Sequence, residues 1–375
     1  MLWNIAFRTL FHDRGKLLAG LVGVIFSVVL VNIQGGLFFG LIRKASLLVD
    51  ESNADIWVGH RGMHNVDFPH DIPERWIHRI RSIEGVQEAQ PMRIAFSEIS
   101  LPNGGHEGTM IVGLKPGTDL GRAYEIQQGP QEALDHVDGV VVDVCDDAKL
   151  MDPKIGSVRE IGASRAVVSG KCYGVLSFLV TPYVFTTYDR SVEFSGGDPT
   201  MTSYFLVRTE PGVDAQIVCD EISRRLDDVS AMTSEEFADM SINYWLTRTG
   251  LGLSFGAATA LGLLVGLVMV AQTLYAMVLD RISEFATLKA LGSKEAEILL
   301  LLGAQSSLVA IVGIVIGIAL SVLIRFLFST PRAEIMFSQG LYAGSAVIVF
   351  VICLAASGLP YLRVRKVDPH SILQG

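Results

Sequence analysis

Four stretches of this chain, 17–42, 251–279, 298–324 and 335–362, contain no Asp, Glu, Lys, Arg or His. A helix needs about 20 apolar residues to cross roughly 30 Å of hydrocarbon, so each stretch can span a bilayer with some tilt. One such run is compatible with a buried core helix; four in one chain are not. The first run exceeds the roughly 7–15 residues of a signal-peptide core. It ends in Gly40-Leu41-Ile42-Arg43-Lys44, without a small-x-small cleavage pattern, and reads as a retained span. The expected fold class is an integral membrane protein with four transmembrane α-helices. A large α+β extracytoplasmic domain, 43–250, lies between helices one and two.

Lys and Arg near the span ends set the orientation. Arg8, Arg14 and Lys16 precede the first span; Arg363, Arg365 and Lys366 follow the fourth. Both termini, 1–16 and 363–375, are therefore predicted to be cytoplasmic, as an even number of spans requires. Arg43 and Lys44 point the other way but are outvoted, because long domains translocate largely regardless of charge. Segment 280–297 is then cytoplasmic and 325–334 is a short external loop. From Arg43 to Arg248 the chain carries 19 Lys+Arg against 32 Asp+Glu, of 30 and 39 in all. So acidic a domain argues against nucleic acid as a partner. Within 1–16, Trp3, Phe7, Leu10 and Phe11 share one helical face. That fits either a helix in the cytoplasmic membrane interface or the ragged start of span one.

Within the domain, 54–59 is a strand candidate. Pro73 suits a first helical position, and Trp76, Ile77, Ile80 and Ile83 share a face. Segments 86–101 and 107–114 flank Asn103-Gly104-Gly105, a hairpin signal. Strands follow at 139–144, 157–170 and 204–208. Glu210-Pro211-Gly212 marks a turn, and 213–226 is a helix with Ile217, Val218, Ile222 and Leu226 at helical spacing. This order suggests two α+β subdomains dividing near 115–135, where Gly and Pro cluster. Cys145, Cys172 and Cys219 fall in the domain and Cys353 in span four. An odd external count excludes complete pairing; one disulfide or none remains open.

Several chemistries are missing. The nearest approach to a P-loop, Ser169-Gly170-Lys171-Cys172, lacks the spaced first Gly and the hydroxyl, so no nucleotide cofactor is expected on this chain. No H-E-x-x-H and no cysteine pair at zinc spacing occur. His60 and His64 have no evident third ligand and read as loop histidines; no metal site and no catalytic residue are predicted. The spans hold no charged group, so no proton relay or ion path is marked.

The informative segment is 280–297. Span two runs on past the membrane, with Ile282, Phe285, Leu288 and Leu291 at spacing three and Ala286 beside them. Gly292 suits a left-handed C-cap and Ser293 an N-cap for the next helix, with Glu295 and Glu297 in its first turn. The loop thus offers a small apolar face to the cytoplasm. It is either a helix lying on headgroups or a docking knob for a soluble partner.

The run Ser283-Glu284-Phe285-Ala286-Thr287-Leu288-Lys289-Ala290-Leu291-Gly292-Ser293 resembles the coupling helix of ABC-transporter permeases of the MacB/FtsX/LolC-LolE superfamily. Their pattern there is roughly R-x-x-E-I-G-x-x-K-A-L-G-A. Glu284, Lys289, Ala290, Leu291 and Gly292 match it; Phe285 and Ala286 replace the usual Ile and Gly, and Ser293 the usual Ala. The layout of one span, a large external domain and three spans is similar too. So is the tail Arg363-Val364-Arg365-Lys366-Val367-Asp368-Pro369. The opening, from Arg8 to Lys16 and on to Val58, is most similar to the DevC branch.

This resemblance implies a permease subunit without its own ATPase, with ATP and Mg bound by a separate cytoplasmic ABC ATP-binding subunit. That partner would dock on Glu284, Phe285, Ala286, Leu288, Lys289, Ala290, Leu291 and Gly292. It also implies pairing with a second permease copy or a paralogue, a periplasmic membrane-fusion adaptor on the external domain, and outward transport of lipid, glycolipid, lipoprotein or drug-like cargo by mechanotransmission. An FtsX-like transducer that regulates an external hydrolase is the alternative; the size of the domain favours export. Small-xxx-small pairs permit close helix approach. Gly36 and Gly40 in span one, and Gly252, Gly256, Gly262 and Gly266 in span two, are the candidates for helix packing and a dimer seam. Gly313/Gly317 and Gly340/Gly344 are the corresponding pairs in spans three and four.

Overall fold

A computed structural model describes residues 14–280, Ile282, Thr287 and 295–365. The chain forms two compact units, Leu41–Leu251 and, together, Met1–Gly40 with Gly252–Gly375. Among the described residues four helices are long and apolar enough to cross a membrane, as expected. The chain is therefore a multi-pass membrane protein with a large α/β domain between the first helix and the second.

Span one is a single helix, Arg14–Arg43, and span two another, Leu251–Asp280. Span three, Glu295–Phe328, outruns its apolar stretch, and Arg325 lies in its last turn, where the helix dipole favours a cation. Span four starts later than the apolar run implies. Its helix opens at Gln339 behind Ser338, whose Oγ accepts the Leu341 N–H at 3.1 Å. It stops at Ala356 and resumes as Gly358–Arg365. Pro360 explains the break: it has no N–H for the carbonyl four residues back, yet fits the first turn of a new helix.

In chain order the domain runs β1 (Ile56–His60), α1 (Ile77–Arg81), β2 (Val86–Ser100), β3 (His106–Leu114), β4 (Ile126–Gln128), β5 (Gly139–Asp143), β6 (Val158–Ile161), β7 (Ser164–Cys172), β8 (Tyr183–Thr187), α2 (Tyr188–Ser195), β9 (Tyr204–Thr209), α3 (Ala215–Arg225), β10 (Val229–Thr233) and α4 (Ser234–Arg248). The strands follow the order β10-β1-β9-β2-β3-β8-β5-β7-β4, and β6 pairs with β2 and β7. The long strand β2 belongs to two lobes. Its first half, up to Met92, pairs antiparallel with β9; its second half, from Arg93, pairs with β3. The first lobe is a β-α-β-β-α-β unit in the order β10-β1-β9-β2, the ferredoxin-like pattern. The second lobe is inserted between its second and third strands.

The subdomain division expected near 115–135 is therefore wrong. The glycines there make local turns, with Gly117, Gly121 and Gly129 at positive φ, while the lobes divide along β2. The segment expected as one strand over 157–170 is the hairpin β6–β7, turned at Gly162, where φ is +51°. On α3, Val218, Cys219 and Ile222 face the core but Ile217, 66% exposed, does not; it lies about 100° from Val218 around the helix. The elements β8, α2, β10 and α4 escaped the sequence reading.

Period-two alternation supplies two faces to the first lobe's sheet. Ile56, Val58, Phe205 and Val207 pack against Ile77, Ile80, Val218 and Ile222 of α1 and α3. Trp57, Tyr204 and Leu206 point the other way, onto Phe237 of α4. The Trp57 and Phe237 rings are 5.4 Å apart. Helix α4 begins with a capping box. Thr233 Oγ1 accepts the Glu236 N–H at 3.2 Å, and Glu236 Oε2 accepts the Thr233 N–H at 3.1 Å.

Candidate functional site

The predicted docking residues Glu284, Phe285, Ala286, Leu288, Lys289, Ala290, Leu291 and Gly292 lie outside the described residues, as do residues 1–13 of the expected interfacial helix. The structure describes what frames the loop. Lys16 at the start of span one forms an ion pair with Asp280 at the end of span two. Val278 of span two, Ile298, Leu301 and Leu302 of span three, and Val364 of the last helix form one buried cluster. The two roots of the loop are thus packed against each other.

The glycines are used inside the chain. A Cβ on Gly262 would meet Leu30, and one on Gly266 would meet Ser27, whose Oγ donates to the Gly262 carbonyl at 3.1 Å. Gly313 and Gly317 take Val24 and Val28 in the same way. Span one therefore lies between spans two and three. It also binds span four, where Ser345 Oγ donates to Asn32 Oδ1 at 3.2 Å and Asn32 Nδ2 donates to the Val28 carbonyl at 2.9 Å. Gly36 and Gly40 receive residues 334–337: Ile335 and Phe337 lie on Gly36, the Glu334 carbonyl lies on Gly40, and the Met336 N–H donates to the Gly36 carbonyl at 3.0 Å. A dimer seam on Gly36, Gly40, Gly262 or Gly266 is thereby corrected, because the chain itself covers those faces. Of the other two candidates, Gly252 opens span two, and Gly256 has nothing within 4 Å of where a Cβ would stand.

The chain enters and leaves the domain through one apolar cluster. Ala45, Phe178 and Trp245 are buried together, with Leu41, Leu179, Ile242, Tyr244 and Leu251 packed around them. Phe178 stacks on Trp245 at 4.3 Å. Trp245 is fixed from the other side by Asp67, a buried carboxyl without a cationic partner among the described residues. The indole Nε1–H donates to Asp67 Oδ2 at 3.2 Å, and the Tyr183 hydroxyl donates to Oδ1 at 3.2 Å. Burial pushes the Asp67 carboxyl up to about 6, and the two donated hydrogen bonds hold it back only in part. Nothing in the sequence reading singled out Asp67 or Trp245. The capping pair Thr233/Glu236 ahead of an apolar face was the legible sign of α4.

The remaining candidates are structural. His60 Nδ1 accepts the Gly62 N–H at 3.0 Å, and the His64 ring stacks on Tyr244 at 6.4 Å. Among the described residues no group of His, Cys, Asp or Glu is arranged to hold a metal. All four cysteines are free. Burial pushes the Cys145 thiol up to about 12 and raises Cys172 as well, with Asp143 adding to both.

Residues 256–369 match the family described as FtsX-like permease C-terminal. An uncharacterized ABC transporter permease of Mycobacterium tuberculosis is 24% identical over 94% of this chain and 93% of its own length. One from Methanocaldococcus jannaschii is 24% identical over 48% of this chain and 47% of its own length. The macrolide export ATP-binding/permease protein MacB of Vibrio parahaemolyticus is 30% identical over 34% of this chain and 20% of its own length. The chain thus spans nearly all of one curated relative and less than half of the other two. Among solved structures, the periplasmic region of MacB from Actinobacillus actinomycetemcomitans aligns with 50% of this chain and 92% of its own, at 10% identity and a TM-score of 0.41. Over residues 256–369 the chain is thus similar to the FtsX-like family, and over most of its length to an ABC transporter permease.

Proposed function

We propose that this chain is an ABC transporter permease of the FtsX/MacB type, the membrane subunit of an exporter that works by mechanotransmission. A separate cytoplasmic subunit binds ATP and Mg and docks on segment 280–297. Phe285 and Leu288 anchor it, Glu284 and Lys289 orient it, and Gly292 permits the sharp break that presents the knob. The membrane is the inner membrane of a bacterial cell, with both termini in the cytoplasm. A second permease copy or a paralogue completes the assembly. As in DevC-like systems, a membrane-fusion adaptor sits on the domain and cargo moves outward.

One observation carries this reading. Each route from the loop's roots to the domain is a single helix, Arg14–Arg43 or Leu251–Asp280, whose domain-side end joins the Trp245 cluster. An unbroken helix passes on a tilt or a push without a hinge. No charged side chain lies in the apolar stretches of the spans to mark a route for cargo between them, so work done on the domain is the remaining output.

The test is co-purification of an ATP-binding subunit with the full chain. Truncating buried anchors of a small interface costs about 2 kcal/mol or more. Phe285→Ala with Leu288→Ala, or Gly292→Val alone, should therefore abolish capture while membrane levels stay normal. Undiminished capture by the double variant would show that the loop is only a membrane-surface helix.

A further inference from the structure

On β2, residues 92, 94 and 96 share one face, because side chains alternate along a strand. Met92 and Ile94 on that face are buried in the main core. Phe96 continues it beyond the cover and is 48% exposed. Its ring lies 6.0 Å from Phe68, itself 41% exposed. Phe68 lies 5.9 Å from Trp245, and Trp245 stacks on Phe178 at 4.3 Å. Four rings thus form a continuous stripe that is buried at one end and open at the other.

The buried end identifies what the stripe meets. Its cluster includes Leu41 and Leu251, which belong to the two helices that cross the membrane. The stripe therefore starts at the chain positions where the apolar runs 17–42 and 251–279 meet the domain. Tyr244 beside Trp245 adds the aromatic composition typical of a membrane–water interface. From there it leads along the domain to two phenylalanines in contact with each other and with water. Asp67 makes this a fixed surface, since it holds the indole by its Nε1–H and keeps the ring in line with Phe68 and Phe178.

We infer that the stripe Phe178–Trp245–Phe68–Phe96 is a binding track for an acyl chain of a bilayer lipid. The ring faces supply apolar contact and no charge, which suits a chain and not a headgroup. The inference rests on the export reading only in naming the chemical class that the domain handles. Binding itself needs no ATP-binding subunit.

The experiment uses the full chain, purified without partners and placed in nanodiscs of phosphatidylethanolamine and phosphatidylglycerol. A photoreactive benzoylphenylalanine replaces Phe68, Phe96 or, as reference, Ile217, which is 66% exposed on α3. Illumination followed by mass spectrometry should give a phospholipid adduct at positions 68 and 96 well above that at 217. Phe68→Asp should reduce the adduct at 96 by about tenfold, the equivalent of losing one partly buried aromatic contact. Adducts at 68 and 96 no greater than at 217, or an adduct at 96 unchanged by Phe68→Asp, would overturn the track. Because no ATP is present, either outcome leaves the docking test above independent.

Discussion

The domain and the helical unit solve the same packing problem in opposite ways. The domain fills its core with large side chains, Trp57, Tyr204, Phe185 and Phe237 among them, alternating across a sheet and covered by helices. The spans bring backbones together at Gly262, Gly266, Gly313 and Gly317 and add hydrogen bonds from Ser27 Oγ to the Gly262 carbonyl and from Ser345 Oγ to Asn32 Oδ1. Lipid tails are as apolar as leucine, so apolar bulk gives spans no reason to associate; close approach and polar contacts do. In water the opposite holds, and burying an aromatic ring is the main gain. The domain is therefore vulnerable to lost volume and misplaced charge, the spans to added volume.

Adding volume should have the largest effect. The Glu334 carbonyl occupies the place of a side chain at Gly40, whereas Gly256 faces open space. Gly40→Leu should lower stability by about 3 kcal/mol or more, and Gly256→Leu by less than about 0.5 kcal/mol. Thermal unfolding of both variants in detergent checks this. Equal shifts would break the comparison.

Next comes charge in the domain. The Asp67 carboxyl is raised from the ordinary 3.8 to about 6, so the native state holds the proton more tightly than the unfolded chain does. Its contribution is fully present below pH 3.8 and is lost as pH rises through about 6. The loss amounts to about 3 kcal/mol, at roughly 1.4 kcal/mol for each pH unit between 3.8 and about 6. Urea unfolding followed at pH 4, 5, 6 and 7 should show this fall in the natural protein, and Asp67→Asn should flatten it. A slope that survives the substitution would move the titration elsewhere.

The smallest effect should come from a polar contact between spans. Ser345→Ala removes the hydroxyl that donates to Asn32 and should cost only about 0.6 kcal/mol, as such bonds do in membranes. A cost several times larger would mean that the spans depend on hydrogen bonds more than on their glycines.

How much was legible in the sequence follows the same divide. Spans are announced by length without charge, a signal that needs no tertiary information, and the helices Arg14–Arg43 and Leu251–Asp280 contain the runs 17–42 and 251–279. Where the fourth helix starts was not readable, because Ile335 and Phe337 are apolar in order to lie on Gly36, not to continue a helix. The domain's hairpin β2–β3 and helix α3 showed through local turn and periodicity signals. That the domain has two α+β parts showed in the order of elements; where they divide did not, since one strand serves both lobes and partners such as β2 and β9 lie far apart in the chain. The Asp67–Trp245 pair bridges residues 178 positions apart, and such a contact leaves no local pattern. The proposed docking segment 284–292 is the reverse case, distinctive as a motif and, but for Thr287, outside the described residues.

The central claim is that energy enters at 284–292 and is delivered at the Trp245 cluster. Its most direct test measures capture of the ATP-binding subunit and export side by side in two variants. Phe285→Ala with Leu288→Ala should lose both. Trp245→Phe, which keeps a ring but surrenders the Nε1–H held by Asp67, should keep full capture while export falls about tenfold, the loss of one hydrogen bond to a buried carboxyl. Normal export by the Trp245 variant, with capture intact, would contradict the claim that the cluster carries the motion.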